Sequence, residues 1–381
     1  MDHPSLRSDL QNAIFGPFYI LAAATGQIVA PAKGGSKFLV ILGLIPSLLS
    51  LIVLIARAIY MFYRNIQAGV MTQDWCYATC LNNLALTAAV ACLILFGIKY
   101  KSFIPNFLDL LLIATRNKIP TLERRRRILI SIGVVLIMAS SIVYCIENIF
   151  SYKYFIVNGT IRNTSRFRNS MFGMQWLFPI DIAIIIWGAL ITSVALSITS
   201  CMNLGICTAY KEFNEEIKLL IQKGEIKNIV RLEDIESQII DFIKAHRYLY
   251  ETSGFVSGLA MLTFFAGLLI NISAQIGLRT LTKNSSVIDI VLLSLWLAMS
   301  VSFWFYSILN ETKEMFYLEK SLWINASSSI RDLAFSITDR LEKLIASSNT
   351  IGTSRSAFFI LNLLLLIVPF VADILSVFVN R

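Results

Sequence analysis

A narrow stripe of polar or helix-distorting residues runs along the last apolar segment of the chain. Its members are 7, 4, 3 and 4 positions apart, which places them on one face of an α-helix: Asn362, Pro369, Asp373, Ser376 and Asn380. An ionised Asp373 is costly in hydrocarbon, so it must face water or a polar partner. The stripe can line a pore, where Asp373 carboxylates from several copies would favour cations, or pack against neighbouring helices through hydrogen bonds.

A second group of polar and aromatic residues lies in or near other apolar segments. Together they predict a ligand-binding cavity with aromatic walls and a few polar groups: Tyr144, Glu147, Trp176, Asp181 and Trp296. The alternative is structural, because Trp and Tyr anchor helices at membrane interfaces and carboxylates at segment ends contact headgroup water. The residues alone leave both interpretations open.

Catalytic and metal chemistry find little support. The chain has two histidines, His3 and His246, and six cysteines, so neither a Ser-His-Asp arrangement nor a histidine-containing zinc site is expected. A glycine-rich phosphate loop is also absent from the sequence. We therefore expect no enzyme activity, no cofactor and no metal, and we do not expect a nucleic acid partner.

The elements that must position these residues follow from composition. Hydrophobic residues make up 56% of the 381 positions and charged residues only 15%, against roughly 25% charged in a typical soluble protein. Seven apolar runs predict an all-α membrane protein with a single seven-helix domain, and the absence of strict alternation argues against a barrel. The predicted spans are about 38–62, 81–98, 128–150, 174–199, 254–278, 287–309 and 357–379. The shorter run 13–30 favours an interfacial or re-entrant segment over an eighth span.

Basic residues predict the orientation of the spans. Of the 33 Lys and Arg residues, 24 lie on the side of the amino terminus and nine on the other side, and the run 124–127 consists of four arginines directly before the third span. The amino terminus and the loops 99–127, 210–253 and 310–356 are therefore expected in the cytoplasm and the carboxy terminus outside. Three glycosylation sequons fall on the predicted outer face, at Asn158, Asn163 and Asn284. The expected location is the plasma membrane.

This orientation is opposite to that of G-protein-coupled receptors, and the inverted seven-span layout resembles the insect-type gustatory receptor family. Three stretches carry the resemblance beyond topology: the segment from Pro17 to Pro31, the charged helical loop 231–249, and the run 358–365 that enters the last helix. The family's usual ending of Thr-Tyr, five apolar residues and Gln-Phe is replaced by Phe-Val, five residues and Val-Phe at 370–378, where only Phe378 agrees.

The resemblance implies a chemosensory ligand-gated cation channel. It implies a homo- or hetero-tetramer of related subunits in membrane lipid, with the last helix lining the pore and a pocket for a tastant or other small molecule near the outer side. The alternatives are a G-protein-coupled chemoreceptor, if the charge count misleads, and a polytopic transporter. A transporter would show internal repeats and broken helices, for which seven non-repeating spans offer little support.

Overall fold

The computed structural model describes six continuous stretches of the chain. They are residues 4–27, 48–57, 103–120, 175–249, 303–318 and 326–343, together with single positions between 45 and 142 and at 251 and 323. These stretches are helical and contain no strand. The helices are α1 (Pro4–Ile14), α2 (Pro17–Ala24), α3 (Leu48–Arg57), α4 (Phe103–Ala114), α5 (Phe178–Gln222), α6 (229–249), α7 (Phe303–Leu318) and α8 (328–343).

Helix α5 organises the described part of the molecule. It has 45 residues and is therefore about 67 Å long. Its first half is apolar, with hydroxyl side chains that donate to carbonyls of the preceding turn, as Ser197 does to Ser193 and Thr199 to Ala195. Such bonding lets Ser and Thr remain inside a buried helix. The helix ends at Gln222, and Gly224 follows with a φ of 73° that favours glycine.

Only α5, among the helices within the described stretches, is long and apolar enough to cross a membrane. Residues Pro179–Gln222 have this length and apolar composition. The all-helical class expected from the sequence is confirmed for the described residues. The seven separate spans are not shown, because most residues of the predicted spans 81–98, 128–150, 254–278, 287–309 and 357–379 lie outside the described stretches.

The amino-terminal run divides into two short helices. Gly16, which has a φ of 52°, separates α1 from α2, and Pro17 begins α2 at a position where its missing N–H costs nothing. Helix α2 has eight residues and is about 12 Å long, well short of the roughly 30 Å hydrocarbon core of a bilayer. The segment lies against α5, where Gly205 leaves space for the side chain of Ile14.

An aromatic cluster holds the second half of α5 to α6. Tyr210 packs edge-on against Phe242, with ring centroids 5.1 Å apart, and Phe213 lies 5.6 Å from the same ring. Such pairs add about 0.5–1.5 kcal/mol each beyond the burial of their area. Helix α4 joins this core where Gln238 donates to the carbonyl of Ala114 across 3.0 Å. The cluster and this hydrogen bond together fix the three helices relative to one another.

Candidate functional site

A buried ion pair links α3 to the beginning of α5. The Arg57 guanidinium donates through Nε and Nη2 to the two carboxylate oxygens of Asp181, with 3.1 Å between Nη2 and Oδ2. Only 1% of the Arg57 side chain and 6% of the Asp181 side chain are exposed. This bidentate geometry is the strongest form of pairing available to these two groups, because both hydrogen bonds are charge-assisted.

A second polar contact fixes the register of the same two helices. Trp187 Nε1 donates to Ser50 Oγ across 3.0 Å. Ser50 lies two turns before Arg57 on α3, whereas Trp187 lies nearly two turns after Asp181 on α5. The two helices therefore run antiparallel, and both contacts lie on one seam between them.

The seam reverses the polarity expected of a helix in water. Helix α3 buries Arg57 and Leu54 and exposes large apolar side chains on its opposite side, namely Leu48, Leu49, Ile52 and Ile55. A helix in water normally buries its apolar stripe and exposes its charges. The charged groups at this seam are thus removed from water while isoleucines are left outside.

Removing these charges from water makes the ion pair energetically sensitive. Desolvation of two ions costs several kcal/mol, which only close pairing and further hydrogen bonds offset. Arg57 Nη1 is also buried, and no acceptor for it is found among the described residues. A buried donor without an acceptor costs about 1–3 kcal/mol, and more when it is charged. Arg57 Nη1 is thus a charged donor for which the described residues supply no acceptor.

A buried hydroxyl and amide network joins α5 to α7. Thr312 Oγ1 donates to Asn214 Oδ1 across 2.7 Å, and Tyr210 Oη lies 3.0 Å from the same hydroxyl. Asn214 Nδ2 donates to the carbonyl of Ile308 across 3.1 Å. Tyr210, Asn214 and Thr312 are all fully buried, so the network specifies one packing of α7 against α5.

His246 is the buried titratable group of α6. It is 4% exposed, and burial lowers its pKa to about 3 because desolvation disfavours the charged imidazolium. The residue is therefore neutral at physiological pH and is held within the helical core. No cluster of three or more His, Cys, Asp or Glu residues that could hold a metal occurs within the described stretches.

Two residues of the predicted ligand cavity lie in the described stretches. Asp181 is buried against Arg57, whereas Trp176 lies in a 3₁₀ turn, Gln175–Leu177, before α5 and is 71% exposed. The other predicted site residues lie outside the described residues: Tyr144, Glu147 and Trp296 of the cavity, Asn362, Pro369, Asp373, Ser376 and Asn380 of the stripe, and the sequon residues Asn158, Asn163 and Asn284.

Three residues that are central in the structure were not predicted from the sequence. Arg57 counted only as a basic residue on the outer side, although an arginine that ends a continuous apolar run is itself a signal of an intramembrane partner. Asn214 and Thr312 lie in the predicted cytoplasmic loops 210–253 and 310–356 and carry no pattern that distinguishes them from solvated polar residues. Their burial follows from the packing of α7 on α5.

Comparison with known families corrects the expected relationship. A family model described as "Caenorhabditis protein of unknown function, DUF267" matches residues 14–320, and no curated protein matches the chain. The expected membership in the gustatory receptor family is therefore wrong. The stretches that suggested it are short apolar or charged runs, a pattern that unrelated helical proteins share because they meet the same physical constraints. The match covers most of the chain, so the protein belongs to the DUF267 family of Caenorhabditis proteins.

Proposed function

We propose that this protein is a membrane chemoreceptor in which a small molecule bound beside Arg57 and Asp181 controls cation permeation. The observation that carries the proposal is the inverted polarity of α3, which buries Arg57 against Asp181 and exposes isoleucines. An ionisable pair inside apolar helices is by default a functional site, because its cost is otherwise unexplained. In the proposed topology seven helices cross the plasma membrane, with the amino terminus inside.

The membrane setting is supported by the apolar surfaces of α3 and α5. Exposed Leu and Ile side chains on α3 form a continuous apolar side that lipid would cover. Helix α5 has the length and composition of a span. The antiparallel register of α3 and α5 also agrees with a topology in which the first and fourth spans cross in opposite directions.

Helix α5 offers a path from the ligand site to the far end of the molecule. Asp181 at its beginning and Asn214 near its end are separated by about 50 Å along a single helix. Asn214 and Thr312 connect that end to α7. A small shift of α5 on ligand binding would therefore move α7, since a packed helix moves as a rigid element.

The pore of the proposed receptor is formed by the last helices of four subunits, identical or related. Its support is the one-sided stripe around Asp373, which a cation pathway would use as a carboxylate ring. Two parts of the chain thus have separate roles. The Arg57–Asp181 seam senses the ligand, and the Asp373 helix selects the ion.

Whole-cell recording of the full chain tests the proposal. Cells that display the protein at the surface should show a cation conductance on application of some members of a panel of small molecules. Asp373→Asn should alter the selectivity of that conductance, and Ser376→Ala serves as a matched variant that leaves the charge in place. Surface display without any evoked conductance would contradict the channel, and substrate uptake without conductance would indicate a transporter instead.

The orientation is tested separately by an epitope tag on the carboxy terminus. Antibody binding to intact cells is expected, because the seven-span topology places that terminus outside. Binding only after permeabilisation would reverse the orientation and favour a G-protein-coupled receptor. A tag on the amino terminus provides the reciprocal control.

A further inference from the structure

We propose that the Arg57–Asp181 seam binds neutral, largely apolar small molecules that carry a carbonyl oxygen, and that this oxygen accepts a hydrogen bond from Arg57 Nη1. The inference rests on the proposed function, since it names the ligand class of the same site. Three features of the site support it: a donor without an acceptor among the described residues, a charge balance that selects against anions, and apolar surroundings.

The free donor follows from the geometry of the guanidinium. Its Nε–Nη2 edge faces the carboxylate of Asp181, so the two hydrogens of Nη1 point away from that carboxylate. Nη1 is buried and has no acceptor among the described residues. An oxygen placed there would satisfy a charged donor that the described residues leave without an acceptor.

The charge balance decides which oxygen is preferred. Asp181 already neutralises Arg57, and both side chains are buried. A carboxylate ligand would add one uncompensated negative charge to an environment of low dielectric constant, where an unpaired ion is strongly disfavoured. A ketone, ester or amide oxygen accepts the same hydrogen bond without adding charge, so the neutral acceptor is favoured.

The surroundings of the site select the rest of the ligand. Leu54 lies one turn before Arg57 on the buried side of α3 and is itself fully buried. A hydrocarbon tail would lie against this side chain and add transfer free energy at each methylene. The expected ligand thus combines one carbonyl with an aliphatic body.

Photo-crosslinking on the purified full chain in lipid nanodiscs tests this ligand class. Three ten-carbon probes that carry the same diazirine would be compared: a methyl ketone, an alkane and a carboxylate. The ketone should label peptides from 48–57 or 178–190, with competition by unmodified decan-2-one, and should bind at least about tenfold more tightly than the other two probes. The inference would be overturned by equal labelling with the alkane or by a preference for the carboxylate. It would also be overturned if decan-2-one did not compete, because Nη1 would then bind no ketone.

A pair of variants separates the donor from general packing. Arg57→Lys keeps the charge opposite Asp181 but removes the planar fork, so the preference for ketone over alkane should fall by at least about tenfold. Thr208→Val removes a bond within α5 to Leu204, about 40 Å along the helix from Asp181, and should leave the preference unchanged. Because the comparison of probes on the unaltered chain needs no variant, a folding defect in Arg57→Lys would not affect the conclusion.

The binding assay and the recordings test the two proposals independently. Selective ketone binding without an evoked conductance would uphold the inference about the ligand class and contradict the channel. A conductance evoked by anionic molecules but not by ketones would support the receptor and overturn the inference. Each result therefore identifies which of the two proposals is wrong.

Discussion

Gln27 donates a 2.7 Å hydrogen bond from its side-chain amide to the backbone carbonyl of Ile191, and the contact is fully buried. Further along α5, Ile14 packs over Gly205. The amino-terminal segment therefore runs antiparallel to α5, following it over 14 residues or about 21 Å. A segment that the sequence assigns to the membrane surface or to a re-entrant loop is thus an integral part of the packing around α5.

The space that Gly205 leaves for the side chain of Ile14 is expected to hold the amino-terminal segment against α5. A Cβ atom at position 205 would lie 3.3 Å from the side chain of Ile14, so Gly205→Leu should push α1 away from α5, as overpacking forces displacement. Hydrogen exchange of amides 10–22 should accelerate by about tenfold or more, which reports local opening. Adding Ile14→Ala should restore slow exchange in part, and an unchanged exchange rate in Gly205→Leu would contradict the close packing.

The Arg57–Asp181 pair should show the asymmetry of a buried ion pair. Asp181→Leu alone leaves a buried cation and should cost about 3–5 kcal/mol of unfolding free energy, whereas Arg57→Met combined with Asp181→Leu should cost much less. Denaturation in detergent micelles followed by tryptophan fluorescence measures the differences. Ser50→Ala is the control for the same seam. A double variant as unstable as the single one would exclude pairing as the source of the cost.

Coupling between α5 and α7 should be measurable at the buried hydroxyls. Tyr210→Phe and Thr312→Val each remove one partner of a 3.0 Å contact, and a double-mutant cycle should give a coupling of about 0.5–1.5 kcal/mol. Thr208→Val is a matched control because Thr208 bonds within its own helix, to Leu204. Strict additivity of Tyr210→Phe and Thr312→Val would show that the two hydroxyls act independently.

His246 should make stability depend on pH below neutrality. Its pKa of about 3 in the folded protein lies below the value of roughly 6.5 in an unfolded chain, so the unfolded state takes up a proton first as the pH falls. The contribution of neutral His246 to the free energy of unfolding is therefore present above about pH 6.5 and decreases between that pH and about 3. The free energy of unfolding should fall by about 2 kcal/mol between pH 7 and pH 5. His246→Gln should remove this component, as unfolding at both pH values would show. An equal loss in the variant would assign the dependence to other groups.

Local patterns determined the helical class and several element positions. The run from Phe107 to Ala114 is apolar apart from Asp109, and it forms part of α4. The break between α1 and α2 follows from Gly16 and Pro17, whose backbone preferences act over one or two residues. Apolar composition likewise marks α5 as a candidate span. These features depend on neighbours in the chain, so the sequence contains them directly.

The partners of the polar residues were decided only by the tertiary structure. Arg57 meets Asp181 across 124 positions, Gln27 meets Ile191 across 164, and Tyr210 meets Thr312 across 102. Periodicity shows which face of a helix carries a residue, but the facing residue depends on the crossing and register of two helices. An arginine in an apolar run therefore demands a partner by its charge alone, and only the packing of α3 against α5 determines that the partner is Asp181.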